Sequence, residues 1–382
     1  MQLLPIIYDV IIVGAGPAGC ACALSLRNAG LKVALFDKKS FPRDKICGDA
    51  IPGRAIKTLQ NISPEFAEEF RKFHNKYKTI KTRVSYKQQF LEFNWVGEAY
   101  TCARIEFDNF LFSLVKYKTS TDIFVNKSIE SVLVKGNKVV ITDKEKKTFE
   151  SKIIIGADGA QSIIAKQLAN RTIDRNHHVG SVRAYYKNVS NTISNTTEIY
   201  FNKKFLPSYL WVFPLPDNKA NVGFGMLSST ISKKKVNIKN TFYEFIKQDA
   251  ELTERFKNAE QTSDLEGFGL PLGSRRVKIS GDNFLICGDA ASLIDPASGD
   301  GIGNAMLSGK LAAEQIIKSF GKDDFSEKHH KNYDKYLFKV IGKELKQHYK
   351  AQRFGSKMPF LLDVLFGVAK NKLIQKWIQK KL

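Results

Sequence analysis

Residues 8–37 read YDVIIVGAGPAGCACALSLRNAGLKVALFD. The Ile- and Val-rich run from Tyr8 to Val13 has the composition of a buried strand; Gly14, Gly16 and Gly19 follow, and a helical stretch ends at Gly30. A second apolar run, Lys32 to Phe36, leads into Asp37, 23 residues after Gly14. Strand, glycine turn, helix, strand and acid in that order make a βαβ opening that binds a nucleotide. The three glycines give a tight turn, a close backbone approach to a pyrophosphate and close packing of helix on strand, with Ala18 inside the same turn. The helix N-terminus then faces the phosphates. Asp37, with Lys38 beside it at the strand tip, is placed to accept a hydrogen bond from a ribose hydroxyl.

The rest of the chain bounds what surrounds this unit. Its 382 residues call for two interleaved domains, and 43% apolar with 26% charged residues is ordinary globular composition. The formal charge of +22 implies attraction to something anionic: a membrane surface, a phosphorylated substrate or nucleic acid. No nucleic-acid-binding fold is recognisable, so that partner is not expected. Cys20, Cys22, Cys47, Cys102 and Cys287 form an odd set without a C-x-x-C pair, which argues against a disulfide framework or structural zinc and fits a reducing cytoplasm. The histidines, including the pairs His177-His178 and His329-His330, show no metal-ligating pattern and read as exposed loop or helix residues. The N-terminus lacks a signal-peptide pattern, and no apolar stretch nears the roughly 20 residues that span a bilayer.

From Val84 to Tyr100, and again from Val179 to Leu227, aromatic and β-branched segments separated by turn residues predict a second sheet. Arg104 to Lys116 has helical spacing, and Ile123 to Ile141 reads as further strands with a turn near Gly136 and Asn137. Two more buried strands, Ile153 to Ile155 and Phe284 to Cys287, rejoin the opening sheet. After Asn304 the pattern is helical. Between Lys343 and Leu382 ten Lys or Arg stand against Glu344 and Asp363, with Phe360, Phe366, Trp377 and Ile378 among the apolar positions. Such a basic amphipathic region suits an anionic membrane surface.

Six further segments carry a resemblance. They are FPRDKICGDA (41–50), RIEFD (104–108), IGADGA (155–160) followed by Ser162, PSYLWVFP (207–214), LICGDAA (285–291) and DPASGDGIGN (295–304). Together with the opening glycines they resemble the geranylgeranyl reductase family, within the p-hydroxybenzoate hydroxylase-like fold, from Tyr8 to about Ile317. The resemblance implies FAD. Ala157, Asp158 and Gly159 would close over the dinucleotide, Gly288 and Asp289 would hold its ribityl chain, and Arg104 would contact it. Cys47 and Gly48 would lie beside the flavin ring. Pro296, Gly299, Gly301, Ile302 and Gly303 form a turn opening a helix, whose N–H groups suit negative charge on the reduced ring. Tyr209 and Trp211, on a strand with Phe213, would line an apolar substrate cavity, and Cys47, Tyr209 and Trp211 are the candidate catalytic residues. Two departures stand out: Asp49 and Ala50 replace glycines common in the family, and the spacing from Pro207 to Tyr209 is one residue short.

The expected architecture is α/β (α+β): a Rossmann-like FAD-binding domain (1–80, 101–175 and 276–325) interleaved with an antiparallel-sheet substrate domain (81–100 and 176–275). A helical basic segment, 326–382, completes it. The function the resemblance implies is FAD-dependent reduction of carbon-carbon double bonds in an isoprenoid chain borne on a lipid, diphosphate or quinone. The rival readings are a flavin monooxygenase or halogenase acting on an aromatic substrate, and a membrane-associated module with a structural flavin. With no second glycine-rich βαβ unit, electrons would come from a transiently bound NAD(P)H or a ferredoxin-type carrier. No metal is expected. The location expected is the cytoplasm, with peripheral contact on the inner face of the membrane.

Overall fold

The computed structural model describes residues 6–206, 208–357 and 360–368. Pro207, Trp377 and Ile378 lie outside the described residues. The chain enters through β1 (Ile6–Val13), turns into α1 (Pro17–Leu26) and returns as β2 (Val33–Phe36). β3 (Ala50–Ile51), α2 (Gly53–Ile62) and α3 (Pro64–Lys72) lead to the hairpin of β4 (Tyr77–Tyr86) and β5 (Gln89–Thr101). Next come α4 (Arg104–Lys118), β6 (Asp122–Phe124), β7 (Ile129–Lys135), β8 (Lys138–Asp143), β9 (Thr148–Gly156) and α5 (Ile163–Leu168). β10 (His178–Lys187), β11 (Thr196–Phe201), β12 (Tyr209–Leu215) and β13 (Lys219–Leu227) follow. Three helices, α6 (Ser228–Lys234), α7 (Ile238–Gln248) and α8 (Ala250–Arg255), precede β14 (Glu260–Gln261) and β15 (Glu266–Pro271). The last elements are β16 (Ser280–Gly281), β17 (Phe284–Ile286), α9 (Ile302–Lys322), α10 (Glu327–Lys357) and α11 (Phe360–Val368).

Two sheets result. The first runs β16-β17-β9-β1-β2-β6, with β8 and β7 added beside β9. Its β17, β9, β1, β2 and β6 pair in parallel, and Val10 to Val13 are buried on both faces of the sheet. That double burial explains why the strand reads as a continuous Ile/Val run rather than an alternating one. α1 is buried along nearly its whole length because α9 covers it. Small side chains allow this: a Cβ on Gly309 would lie 2.0 Å from the Ala18 carbonyl oxygen.

The second sheet runs β14-β10-β13-β12-β11-β4-β5-β3, with β15 also on β10. Residues alternate between its faces. Val182, Ala184, Leu210, Val212, Val222 and Phe224 form a core with Phe242 and Phe245 of α7. Their neighbours Arg183, Tyr185, Trp211, Phe213 and Asn221 face the opposite way, toward the segment that follows β2. The sheet therefore offers one face to its own helices and the other to the first sheet's loops.

The C-terminal helices fasten the two parts. α10 packs on α9, and Phe366 of α11 meets the ring of Tyr86 at 5.4 Å. Among the described residues no helix is long and apolar enough to cross a membrane. The histidine pairs differ from expectation. His330 is wholly buried between the Gly281 carbonyl, 2.7 Å away, and Ser319, while His177 and His178 are half-buried and bonded to Ser274 and Ser228. Long-range packing of α10 against β16 puts His330 inside, a contact that local polarity does not signal.

Replacing Gly309 by Ala is expected to cost about 1–3 kcal/mol, since the new methyl overlaps backbone that a helix cannot move. A lowered urea midpoint with an unchanged slope would register it.

Candidate functional site

Four glycine turns, drawn from the start, middle and late parts of the chain, converge at the C-terminal ends of the first sheet's strands. Gly14 has φ of +104°, and a Cβ there would lie 2.3 Å from the Ala157 carbonyl oxygen, so the opening turn and residues 157–159 touch. Gly288, at φ +60°, sits against Ala18 and Ala305, which ties the late turn to α1 and α9. A Cβ on Gly301 would lie 3.3 Å from Asp289 Oδ1, which brings the α9 turn to the same place. Gly303 packs on Pro52 and Arg54, while Pro296 is buried in the turn.

The polar groups sort into those occupied by the fold and those facing the cleft. α1 has no side-chain cap at Gly16, so its first N–H groups are left able to hold a phosphate. Asp37 accepts from the backbone N–H of Ala15 and Lys39, both at 2.9 Å, fixing the strand tip, and Lys38 is exposed. Asp158 caps α5, accepting from Ser162 Oγ and from the N–H of Ile163 at 2.8 Å. Arg104 is buried, not a solvated arginine: Nε and Nη2 reach Asp108 at 2.6 and 2.7 Å. Arg43 joins the same carboxylate at 3.0 Å and lies 3.5 Å from Asp37. Lys45 Nζ donates to Asp289 at 2.7 Å. Burial pushes the Asp289 carboxyl up, but Lys45, Arg104 and Arg171 outweigh it and hold it below the usual carboxylate range. An uncapped helix start, an acid at the second strand tip and an anionic Asp289 beside Gly301 fit FAD. At α9 the fit is partial, since Asp300 already accepts from the Ile302 N–H at 3.2 Å.

The segment 41–50 crosses from this cleft to the second sheet. A Cβ on Gly48 would lie 3.3 Å from the Phe213 ring and 3.5 Å from Trp211 Nε1. The Trp211 ring lies over Gly223, and its Nε1 donates to Asn221 Oδ1 at 2.8 Å. Asn221 Nδ2 in turn donates to the Cys47 carbonyl and to Asp49 Oδ2, both at 2.7 Å. Tyr185 also donates to Asp49, at 2.9 Å, and the Arg104 N–H to its other oxygen at 3.1 Å. Cys47 itself is in hydrogen-bonding reach of the Arg104 side chain; burial nonetheless pushes its thiol up, so it keeps its proton at neutral pH. Tyr209 closes the face from the far side, donating to the Ser298 carbonyl at 2.8 Å, with Gly299 against its hydroxyl.

Sequence reading missed Asp49, Asn221 and Tyr185 as members of this site. The usable signal was a polar residue in phase with Gly223 and Gly225, on the strand face that the apolar Val222 and Phe224 avoid. Asp295 was quoted only as part of a turn, yet His348 of α10 bonds it at 2.6 Å. That bond and burial act in opposite directions on His348, and the bond prevails, raising its pKa. Glu344 lies close enough for Asp295, Glu344 and His348 to form a possible metal-ligand group. Arg54, however, pairs with Glu344 at 2.5 Å and donates to Asn304 at 2.6 Å, so a cation already serves this carboxylate. Burial raises Asp300 to about 7.

Burial also raises Asp49 to about 6, against the opposing pull of Arg183, Asn221 and Tyr185. A carboxyl whose pKa rises on folding stabilises the fold only at low pH. Stability is therefore expected to fall by on the order of 3 kcal/mol as pH rises from about 4 through 6. In Asp49→Asn that component should be absent from urea unfolding measured across the same range.

Comparison with known proteins supports FAD as the cofactor. A family model described as an FAD binding domain matches residues 7–322. The chain is 30% identical over 351 residues to digeranylgeranylglycerophospholipid reductase 2 of Methanococcoides burtonii, covering 88% of this chain and 82% of that one. It is 27% identical over 320 residues to the menaquinone reductase of Mycobacterium tuberculosis, covering 81% and 76%. Among solved structures, a geranylgeranyl bacteriochlorophyll reductase-like protein from Thermoplasma acidophilum superposes with a TM-score of 0.79 at 23% identity, over 91% of this chain and 87% of that one. A flavin-dependent brominase gives the same TM-score, 0.79, at 21% identity, over 98% and 92%. At such identities the structures share the fold alone.

Proposed function

The chain belongs to the geranylgeranyl reductase family of FAD-dependent oxidoreductases, and from that premise we propose that it reduces carbon-carbon double bonds of an isoprenoid chain. The observation that carries the reading is the aromatic wall of Tyr209, Trp211 and Phe213, set against the Cys47-Gly48 segment. Such a wall aligns a flexible apolar chain and excludes water from it. We assign cofactor holding to Gly14, Gly16, Ala18 and Gly19 at the phosphates, and Asp37 and Lys38 at the ribose. Arg104, Ala157, Asp158 and Gly159 flank the dinucleotide, and Gly288 and Asp289 take the ribityl chain. Cys47, Gly48, Pro296, Gly299, Gly301, Ile302 and Gly303 surround the ring.

FAD, when bound and reduced, supplies the hydride for one alkene carbon. The protein's part is to orient the chain and to bring a proton to the other carbon. Tyr209 is fixed by its bond to Ser298 and orients substrate. Trp211 is locked by Asn221 and forms the wall. Cys47, which keeps its proton and directly precedes the Gly48 that packs on that wall, is our candidate proton donor. As electron source we propose a transient NAD(P)H or a ferredoxin-type carrier.

The test is anaerobic: reduce the purified flavoprotein, add a geranylgeranyl lipid, and follow flavin reoxidation with the mass of the product. Reoxidation with a gain of two hydrogens is the expected result. A flavin that stays reduced with the lipid, yet reoxidises in air while modifying an aromatic compound, would give the site to the monooxygenase and halogenase class. Against that class, positions 209, 211, 213 and 214 read Tyr, Trp, Phe and Pro, where halogenases of this fold resemble Trp-x-Trp-x-Ile-Pro.

We also propose cytoplasmic, peripheral attachment to the inner face of an anionic membrane. Phe354, Phe360 and Val364 are exposed on α10 and α11, within a strongly basic segment. Attachment that is mainly electrostatic should release on raising salt from about 0.05 to 0.5 M, because exposed charges are screened over shorter distances. Cell fractionation at the two salt concentrations checks this.

A further inference from the structure

Arg183 lies mid-strand on β10, in a cross-strand row that reads Glu266, Arg183, Gly223, Trp211, Ile199. It shares the face of the aromatic wall, and only 1% of it is exposed. Its Nη2 donates to Asp44 at 2.8 Å, and the Tyr185 ring covers the guanidinium at 4.1 Å. Its Nε and Nη1 are buried and have no hydrogen-bond partner among the described residues. Leaving such donors unmet costs about 1–3 kcal/mol each, more where the group is charged. A Leu or Met would fill the same place without that cost. Packing therefore does not account for an arginine here.

Local charge narrows what the free donors await. Lys45 pairs with Asp289, Arg104 with Asp108 and Arg183 with Asp44. Asp49, also close to Arg183, makes no ion pair among the described residues and is mostly ionised at neutral pH. The neighbourhood thus already carries one carboxylate in excess, and a phosphate would add to it. A neutral acceptor oxygen satisfies the donors without adding charge. A cleft of about 590 Å³ at the sheet edge is lined by Ile46, Leu265, Glu266 and Gly267 together with Lys239 and Tyr243 of α7. Arg183 does not itself line this cleft; Glu266, its cross-strand partner, and Ile46, two positions after Asp44, are the links between them.

Resting on the isoprenoid reading above, we propose that Arg183 recognises the substrate's headgroup by donating Nε and Nη1 to a neutral carbonyl oxygen. The headgroup lies toward the Glu266 edge and the prenyl chain runs along Trp211 to Tyr209. Quinone and ester carbonyls share this chemistry.

The test compares the FAD-loaded wild type with Arg183→Met and Arg183→Lys, with flavin content and thermal midpoint as controls of folding. Dissociation constants come from tryptophan-fluorescence quenching by four tetraprenyl probes: a naphthoquinone, the acetate ester, the diphosphate and the plain hydrocarbon. Arg183→Met should weaken a carbonyl probe about 10- to 100-fold, the loss of hydrogen bonds from a charged donor, and leave the hydrocarbon within about twofold. Arg183→Lys should recover part of the loss. A loss confined to the naphthoquinone identifies a quinone headgroup, and a loss shared with the acetate identifies the carbonyl alone. Equal loss for the hydrocarbon, no loss, or a loss confined to the diphosphate overturns the proposal. If no probe binds wild type or reoxidises its reduced flavin, the isoprenoid reading itself falls. If wild type reoxidises with them but shows no Arg183-dependent carbonyl preference, only the headgroup proposal falls.

Discussion

The buried carboxylate of Asp49 is the point on which the site's geometry turns. It accepts from the Arg104 N–H on the first sheet's side and from Asn221 and Tyr185 of the second sheet. Asn221 extends the seam by holding the Cys47 carbonyl with one end and Trp211 with the other. A single acid thus sets the distance between the cofactor cleft and the aromatic wall. Asp49 also sits at φ +63°, where glycine is at ease and an aspartate is tolerated because its short polar side chain bonds locally. Ionising it inside the protein is unfavourable, and its raised pKa records that strain. Three hydrogen bonds offset part of the burial cost, so the group is still mostly ionised at neutral pH.

Close approach is the second constraint. The first sheet can gather its glycine turns only because helices and turns meet with almost no side chain between them. Gly309 lies on the Ala18 carbonyl, Gly14 on Ala157, and Gly288 between Ala18 and Ala305. The same economy operates in the second sheet, where Gly223 gives the Trp211 ring its bed. Aromatic bulk on one strand is matched by glycine on the next, so the Trp211 ring lies close against the sheet.

These relations divide what the sequence reveals from what it conceals. The opening βαβ unit was legible because strand period, glycine spacing and terminal acid are all local, and the structure reproduces it from β1 through β2. The strands ending at Gly156 and Ile286 were legible for the same reason. The first half of β4 was not. Its residues 77–83 read YKTIKTR, and their burial depends on pairing with β5 and β11, not on apolar content. α2 and α3 likewise escaped notice, although Ala55, Ile56, Leu59, Phe66 and Phe70 form a clear apolar stripe. At the site, the motif residues were legible and their partners were not: Asn221 lies 172 residues from Asp49, and Lys45 lies 244 from Asp289. Nothing in local pattern joins such pairs.

Charge acts on two scales that point in different directions. The whole chain carries +22, a field that gathers anionic surfaces over distances of about a Debye length, near 8–10 Å in ordinary salt. Inside the cleft the balance is reversed. Lys45, Arg104 and Arg183 each already have a carboxylate, and Asp49 leaves one negative charge over beside Arg183. Interior charges are screened far less than exposed ones, so this local excess bears more directly on what enters than the net charge of the whole chain does. A protein drawn to an anionic surface need not therefore bind an anion in its pocket. In the reading proposed above, the long-range field would select where the molecule sits, and the unpaired donors and excess carboxylate within would select an uncharged, oxygen-bearing end of an apolar chain.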